Sequence, residues 1–173
     1  MKTYATLVPA VENENHQPGP QEDSEQLVRS RSENYILLVE DNQDDIDLTL
    51  LVLKDFNLAN DLVVLRDGAE ALDFVFGRAR YQGPQPWHLP QVILLDINLP
   101  KLSGLDVLKA LREDERTHLV PIVMLTTSRE ERDIMESYAS GANSYVQKPF
   151  EFNEFAQAIS QLGLYWFVLN KAP

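Results

Sequence analysis

The chain has 173 residues, 44% hydrophobic and 24% charged, with no cysteine. That is enough apolar material for one buried core, and it excludes a disulfide framework, a thiol nucleophile and a thiolate metal site. Fifteen basic against 27 acidic residues give a formal charge of −12, which repels phosphodiester backbones and anionic lipid and argues against nucleic acid or membrane partners.

No apolar run approaches the roughly 18 residues that a membrane helix needs, and Met1 to Ala10 lack the basic and long apolar regions of a secretory signal. The expected location is the cytoplasm. From Glu12 to Ser32 only Leu27 and Val28 are bulky aliphatics, too little apolar surface to offset ordering entropy, so residues 1–34 are expected to form a mobile arm ahead of a domain over 35–173.

Regular signals begin with Ile36-Leu37-Leu38-Val39, a continuous aliphatic run typical of a strand covered on both faces. Ile46, Leu50, Leu53 and Phe56 then fall at helical spacing behind Asp44 and Asp45, acids suited to a helix N-terminus. The alternation repeats: strand Leu62 to Leu65, helix Ala69 to Phe76, strand Val92 to Leu95 running into Asp96, and a helix carrying Leu105, Leu108 and Leu111. Strand Ile122 to Leu125, helix Arg129 to Ala139, a short strand at Tyr145-Val146 and a helix from Phe152 to Leu169 complete the series. Because a helix sits in every connection, the expectation is an α/β fold, a five-stranded parallel sheet doubly wound by five helices through right-handed crossovers. Between Gly77 and Pro90 the connection is longer than usual and reads as an insertion.

In such sheets ligands bind beyond the carboxyl ends of the strands. Strand one ends in Glu40-Asp41, strand three in Asp96 and strand four in Thr126, and Lys148-Pro149 follow strand five. If strands one and three are neighbours, three carboxylates converge, and two unit charges about 4 Å apart repel by about 4 kcal/mol at an effective dielectric of 20. Lys148 can supply one compensating charge and a divalent cation the rest; oxygen donors without His or Cys suit Mg2+. Taken alone, the acids from Glu40 to Asp47 also fit simple capping and solvation of a helix N-terminus. His16, His88 and His118 have no partner at ligand or triad spacing and read as solvated or packing residues.

With Leu38-Val39-Glu40-Asp41-Asn42, Leu94-Leu95-Asp96-Ile97-Asn98-Leu99-Pro100, Thr126-Thr127-Ser128 and Gly141 to Phe150 in this order, the sequence resembles the receiver domain of two-component response regulators. The resemblance implies a flavodoxin-like strand order 2-1-3-4-5. It further implies a phosphoacceptor, Asp96, that takes a phosphoryl group from a sensor histidine kinase, with Mg2+ held by Glu40, Asp41, Asp96 and the backbone carbonyl of Asn98. Lys148 and Thr126 would stabilise the transferred group, Thr126 and Tyr145 would be the switch pair, and the Lys148–Pro149 bond would be cis. Asn98 and Ser128 would tune loss of the phosphate. Such a protein is no enzyme beyond catalysing its own phosphorylation and dephosphorylation.

The long 77–90 loop and the aromatic C-terminus look like those of stand-alone regulators of phytochrome-type histidine kinases. Leu164 to Leu169 is apolar on every side, and exposed apolar patches mark interfaces. A homodimer is therefore expected, with Tyr165, Trp166, Phe167 and Leu169 in the contact, and the output is an unknown downstream protein. Two other functions fit parts of the pattern. A haloacid-dehalogenase-like phosphatase also uses an aspartate nucleophile and Mg2+, but normally has a second acid where Asn98 stands. A phosphorylation-independent binding module would not need the full acid, threonine and lysine set.

Overall fold

The computed structural model describes residues 35–55, 62–82, 88–127, 130–148 and 152–165. The arm expected over 1–34, Ser128, the Lys148–Pro149 bond, and Trp166, Phe167 and Leu169 lie outside them.

Each short aliphatic run forms a strand: β1 Ile36–Val39, β2 Leu62–Leu65, β3 Val92–Asp96, β4 Ile122–Thr126 and β5 Ser144–Gln147. They pair in parallel, in the order β2-β1-β3-β4-β5. Helices α1 Gln43–Asp55, α2 Gly68–Phe76, α3 Gly104–Glu113, α4 Glu131–Ala139 and α5 Phe152–Leu164 occupy the connections and the C-terminal side. No helix among the described residues is long and apolar enough to cross a membrane.

Alternating residues of each strand feed two separate cores, as the period of two requires. Leu37, Val39, Ile93, Leu95, Ile122 and Met124 pack with Phe74, Val107, Leu108 and Leu111 of α2 and α3. Ile36, Leu38, Leu94, Val123 and Leu125 pack on the other face with Ile46, Val52 and Leu53 of α1 and Phe155 and Ile159 of α5. Each such aliphatic side chain stabilises the fold by about 1.5–3 kcal/mol, so the central strand ends are held on a stiff platform.

Of the 77–90 connection, residues 77–82 and 88–90 are among the described residues. Gly77, with φ 64°, ends α2 in the left-handed conformation, and Ala79–Tyr81 form a single 3₁₀ turn. Tyr81 is buried edge-on against Phe74, 5.0 Å between ring centres, and its hydroxyl donates to Glu70 Oε1 at 2.6 Å. At the far end of the loop the Tyr35 hydroxyl donates to the His88 carbonyl at 3.0 Å. His118 Nδ1 contacts the Glu115 carbonyl at 2.8 Å.

Candidate functional site

The parallel register sets the carboxyl ends of β1 and β3 side by side, Val39 opposite Leu95. The residues that follow, Glu40 and Asp41 on one strand and Asp96 on the other, therefore share one edge. One carboxylate oxygen from each lies within 4.8 Å of the other two. Glu40 and Asp96 are buried whereas Asp41 is exposed, so the cluster opens to solvent on one side.

Lys148, just past β5, supplies the positive charge. Its backbone amide donates to the Thr126 carbonyl at 2.7 Å, which holds its backbone against the end of β4. The buried ammonium pairs with Glu40, with Asp45 Oδ2 at 2.9 Å and with Asp96 Oδ1 at 3.5 Å. Asp45 was legible only as an acid at a helix N-terminus. In the structure the capping of α1 belongs to Asn42, whose Oδ1 accepts from the amides of Asp44 at 2.9 Å and Asp45 at 3.2 Å, and the Asp45 carboxylate turns to the lysine.

Burial pushes the carboxyls of Asp96 and Glu40 above their ordinary range, with Lys148 pulling both back only in part. For Lys148, burial pulls the ammonium down, but Asp96, Asp45 and Glu40 together outweigh it and the net shift is upward. The lysine stays charged, and the carboxylates are held in an under-compensated, partly desolvated state.

Asp96 has two unlike oxygens. Oδ2 accepts from the Asn98 amide at 3.2 Å. Oδ1 is buried with no hydrogen-bond partner; its lysine contact is an ion-pair distance only. A buried acceptor left in that state is costly, and the donor set around it is all carboxylate oxygen. That is the chemistry of a divalent-cation site, and Glu40, Asp41 and Asp96 fit one.

Thr126 is fully buried at the end of β4, where the register puts Leu125 opposite Asp96 and Gln147 opposite Thr126. Tyr145 pairs across from Met124 and packs, partly buried, on the core that includes Leu95 and Met124. Tyr165 is elsewhere: it is 53% exposed at the C-terminal end of α5, in a groove with Ser144, Val146, Ala158 and Leu162, and takes no part in the acid cluster.

One residue that the sequence pattern did not single out is Gly104. It follows Ser103, whose hydroxyl caps α3 by accepting from the Asp106 amide at 3.2 Å. A Cβ on Gly104 would lie 2.0 Å from the Asp96 carbonyl oxygen. Its amide donates to Ile97 at 2.9 Å. A glycine directly after a capping serine was the available signal.

The response regulator receiver domain family matches residues 36–160. The response regulator Rcp1 of Synechocystis is 34% identical over 144 residues, 83% of this chain and 96% of Rcp1. Its Mn2+-bound crystal structure has a TM-score of 0.73 and covers 80% of this chain and 98% of that one. The phosphorylated cyanobacterial phytochrome response regulator RcpA has a TM-score of 0.75 at 33% identity, covering 80% and 97%. The bacteriophytochrome response regulator AtBRR is 48% identical, with a TM-score of 0.62 and coverage of 79% and 96%.

Proposed function

The chain belongs to the response regulator receiver family, and we propose that Asp96 is its phosphoacceptor, charged by a phytochrome-type sensor histidine kinase in the cytoplasm. The observation that carries this reading is the buried Asp96 Oδ1, without a hydrogen-bond partner, between Glu40, Asp41 and the Lys148 ammonium.

Asp96 Oδ1 attacks the phosphorus of a phosphohistidine; the new P–O bond forms as the P–N bond breaks, and the imidazole nitrogen leaves with its electron pair. No base is required when the carboxyl is ionised. Lys148 spreads the charge of the transferred oxygens, and the Thr126 hydroxyl donates a hydrogen bond to them. Glu40, Asp41, Asp96 and the Asn98 carbonyl are the groups that would hold Mg2+. The cation supplies electrostatic neutralisation of the phosphoryl oxygens.

The phosphoryl group adds about −1.5 to −2 charges at this edge. It becomes a signal only if two conformers bind it unequally. Thr126 and Tyr145 are the proposed pair of moving parts: the threonine drawn toward the phosphate, the tyrosine filling the space behind it. The readout is a downstream protein and a second copy of the chain. Met135 and Tyr138 on α4 and Tyr165, just past α5, are all large and exposed, which supports an interface that includes these residues.

Transfer from an autophosphorylated phytochrome-type kinase tests the reading. The phosphoryl group should pass from the kinase histidine to this chain only when Mg2+ is present. A kinase that keeps its label in the presence of the chain and Mg2+ contradicts the pairing.

A further inference from the structure

Outside the acid cluster, the one non-glycine residue of the β3–α3 connection with positive φ is Lys101, at 66°. The Leu102 amide donates back to the Pro100 carbonyl at 2.8 Å, so Pro100-Lys101-Leu102 form a tight three-residue turn about a positive-φ centre, a form that is rare and strained for a side-chain-bearing residue. Strain of this kind persists only where surrounding structure imposes it, and it gathers at functional sites.

What imposes it is the N-terminus of α2. The Gly68 amide donates to the Pro100 carbonyl at 3.3 Å. A Cβ on Gly68 would lie 2.2 Å from the Leu102 carbonyl oxygen, so only glycine lets the two backbones meet. Lys101 Nζ reaches Asp67 Oδ2 at 2.6 Å. Asp67 is itself fixed, since its other carboxylate oxygen caps α2 by accepting from the Glu70 amide at 2.7 Å. Glu70 is in turn tied to Tyr81 and Arg80 of the 77–90 connection. The turn thus starts two residues beyond Asn98 and is clamped on a helix end that is braced in turn.

We propose that Asp67 and Lys101 are positioning residues for the phosphoacceptor loop: by clamping the strained turn to α2 they hold the 97–99 backbone where it can serve a cation beside Asp96. This rests on the proposed role of the Asn98 carbonyl as a Mg2+ ligand. Neither residue touches the reacting atoms. The Ala79–Tyr81 turn, through Tyr81 and Glu70, stiffens the same clamp from behind.

The test uses the full chain with four variants, Asp67→Asn, Lys101→Met, the double of these two, and Lys101→Arg. Asparagine keeps the capping oxygen of α2 and removes only the charge. Mg2+ binding is measured by calorimetry, and the rate of labelling by acetyl phosphate is followed as Mg2+ is varied. An exposed pair of this kind is worth a few-fold in an equilibrium constant, so each single variant should raise the half-saturating Mg2+ concentration about threefold. The rate at saturating Mg2+ should stay at the wild-type value. The double variant should add nothing further, and Lys101→Arg should restore binding. Unchanged Mg2+ dependence in both singles, or shifts that simply add in the double, would overturn the clamp while leaving Asp96 as acceptor intact. A wild-type chain that binds no Mg2+ would overturn the clamp together with the metal site on which it rests.

Discussion

Lys148 Nζ stands 3.5 Å from Asp96 Oδ1, although one residue follows β5 and the other ends β3. The same ammonium pairs with Glu40 and Asp45, so one buried cation answers to three carboxylates. Removing one partner of a buried ion pair typically costs about 3–5 kcal/mol, because the remaining charge is left uncompensated. Lys148→Met should lower stability by that order near neutral pH. Asp96 and Glu40 already bind protons above the ordinary carboxylate range because they are buried, and loss of the lysine raises them further. The penalty is therefore full above their folded pKa values and shrinks as pH falls through them. Urea titrations at about pH 7.5 and about pH 5 check this: the loss should be smaller at the lower pH, and an equal loss at both contradicts it.

Asp96→Asn should have the opposite effect on the cation-free protein. A carboxyl whose pKa is raised on folding disfavours the folded state once it ionises, from the unfolded value upward. Asparagine keeps a polar atom at the place of the buried, unpartnered Oδ1 but removes the charge that burial penalises. The variant should melt at a higher temperature than wild type without Mg2+, and the increase in melting temperature that Mg2+ gives wild type should be largely absent from it. A variant that melts lower than wild type in the absence of the cation speaks against the strained-acceptor account.

Much of this site was legible in the chain before its fold was known. Glu40 and Asp96 each follow a run of aliphatic residues, and in a parallel sheet such an acid has one destination, the carboxyl edge. Lys148 and Thr126 gained meaning only from joining them there. Asp45 stands in the first turn of α1 as its residue type suggested, but its pairing with Lys148 depends on Asn42 taking the cap, a backbone geometry that residue type does not encode. The Asp67–Lys101 pair gave no signal, since an exposed lysine and a capping aspartate are ordinary residues until a positive φ joins them. Tyr81 lay in what read as an insertion; an aromatic with a buried ring and an acid for its hydroxyl is visible only in three dimensions.

Two glycines separate a site effect from a stability effect. Gly104→Ala forces a methyl into the Asp96 carbonyl, and overpacking against backbone costs about 1–3 kcal/mol. It should both destabilise the protein and slow phosphoryl labelling. Gly141, at φ 93°, lies far from Asp96 in the chain, and the nearest atoms to a Cβ placed there belong to the Arg112 side chain, so Gly141→Ala should cost about 1–2 kcal/mol from backbone strain and leave labelling unchanged. Unfolding curves paired with labelling rates check both; equal labelling in the two variants argues against the placement of Gly104.

At the end of α3 the Asp114 carboxyl is held down to about 2, first by the hydrogen bonds from the Arg116 guanidinium and then by its backbone amide. A depressed carboxyl contributes stability above its unfolded value, and that contribution is lost as pH falls through the folded one. Carboxyl NMR should find a midpoint near 2 in wild type and an upward shift in Arg116→Ala that stops short of the ordinary carboxylate value, because the residue-116 amide still donates. A wild-type midpoint in the ordinary range contradicts the pairing.

The most direct test of the whole account is to locate the phosphoryl group. After incubation with Mg2+ and acetyl phosphate, borohydride reduction and peptide mass spectrometry should find a single modified residue, Asp96, and Asp96→Asn should carry none. Modification at another carboxylate, or labelling that survives that substitution, would contradict it.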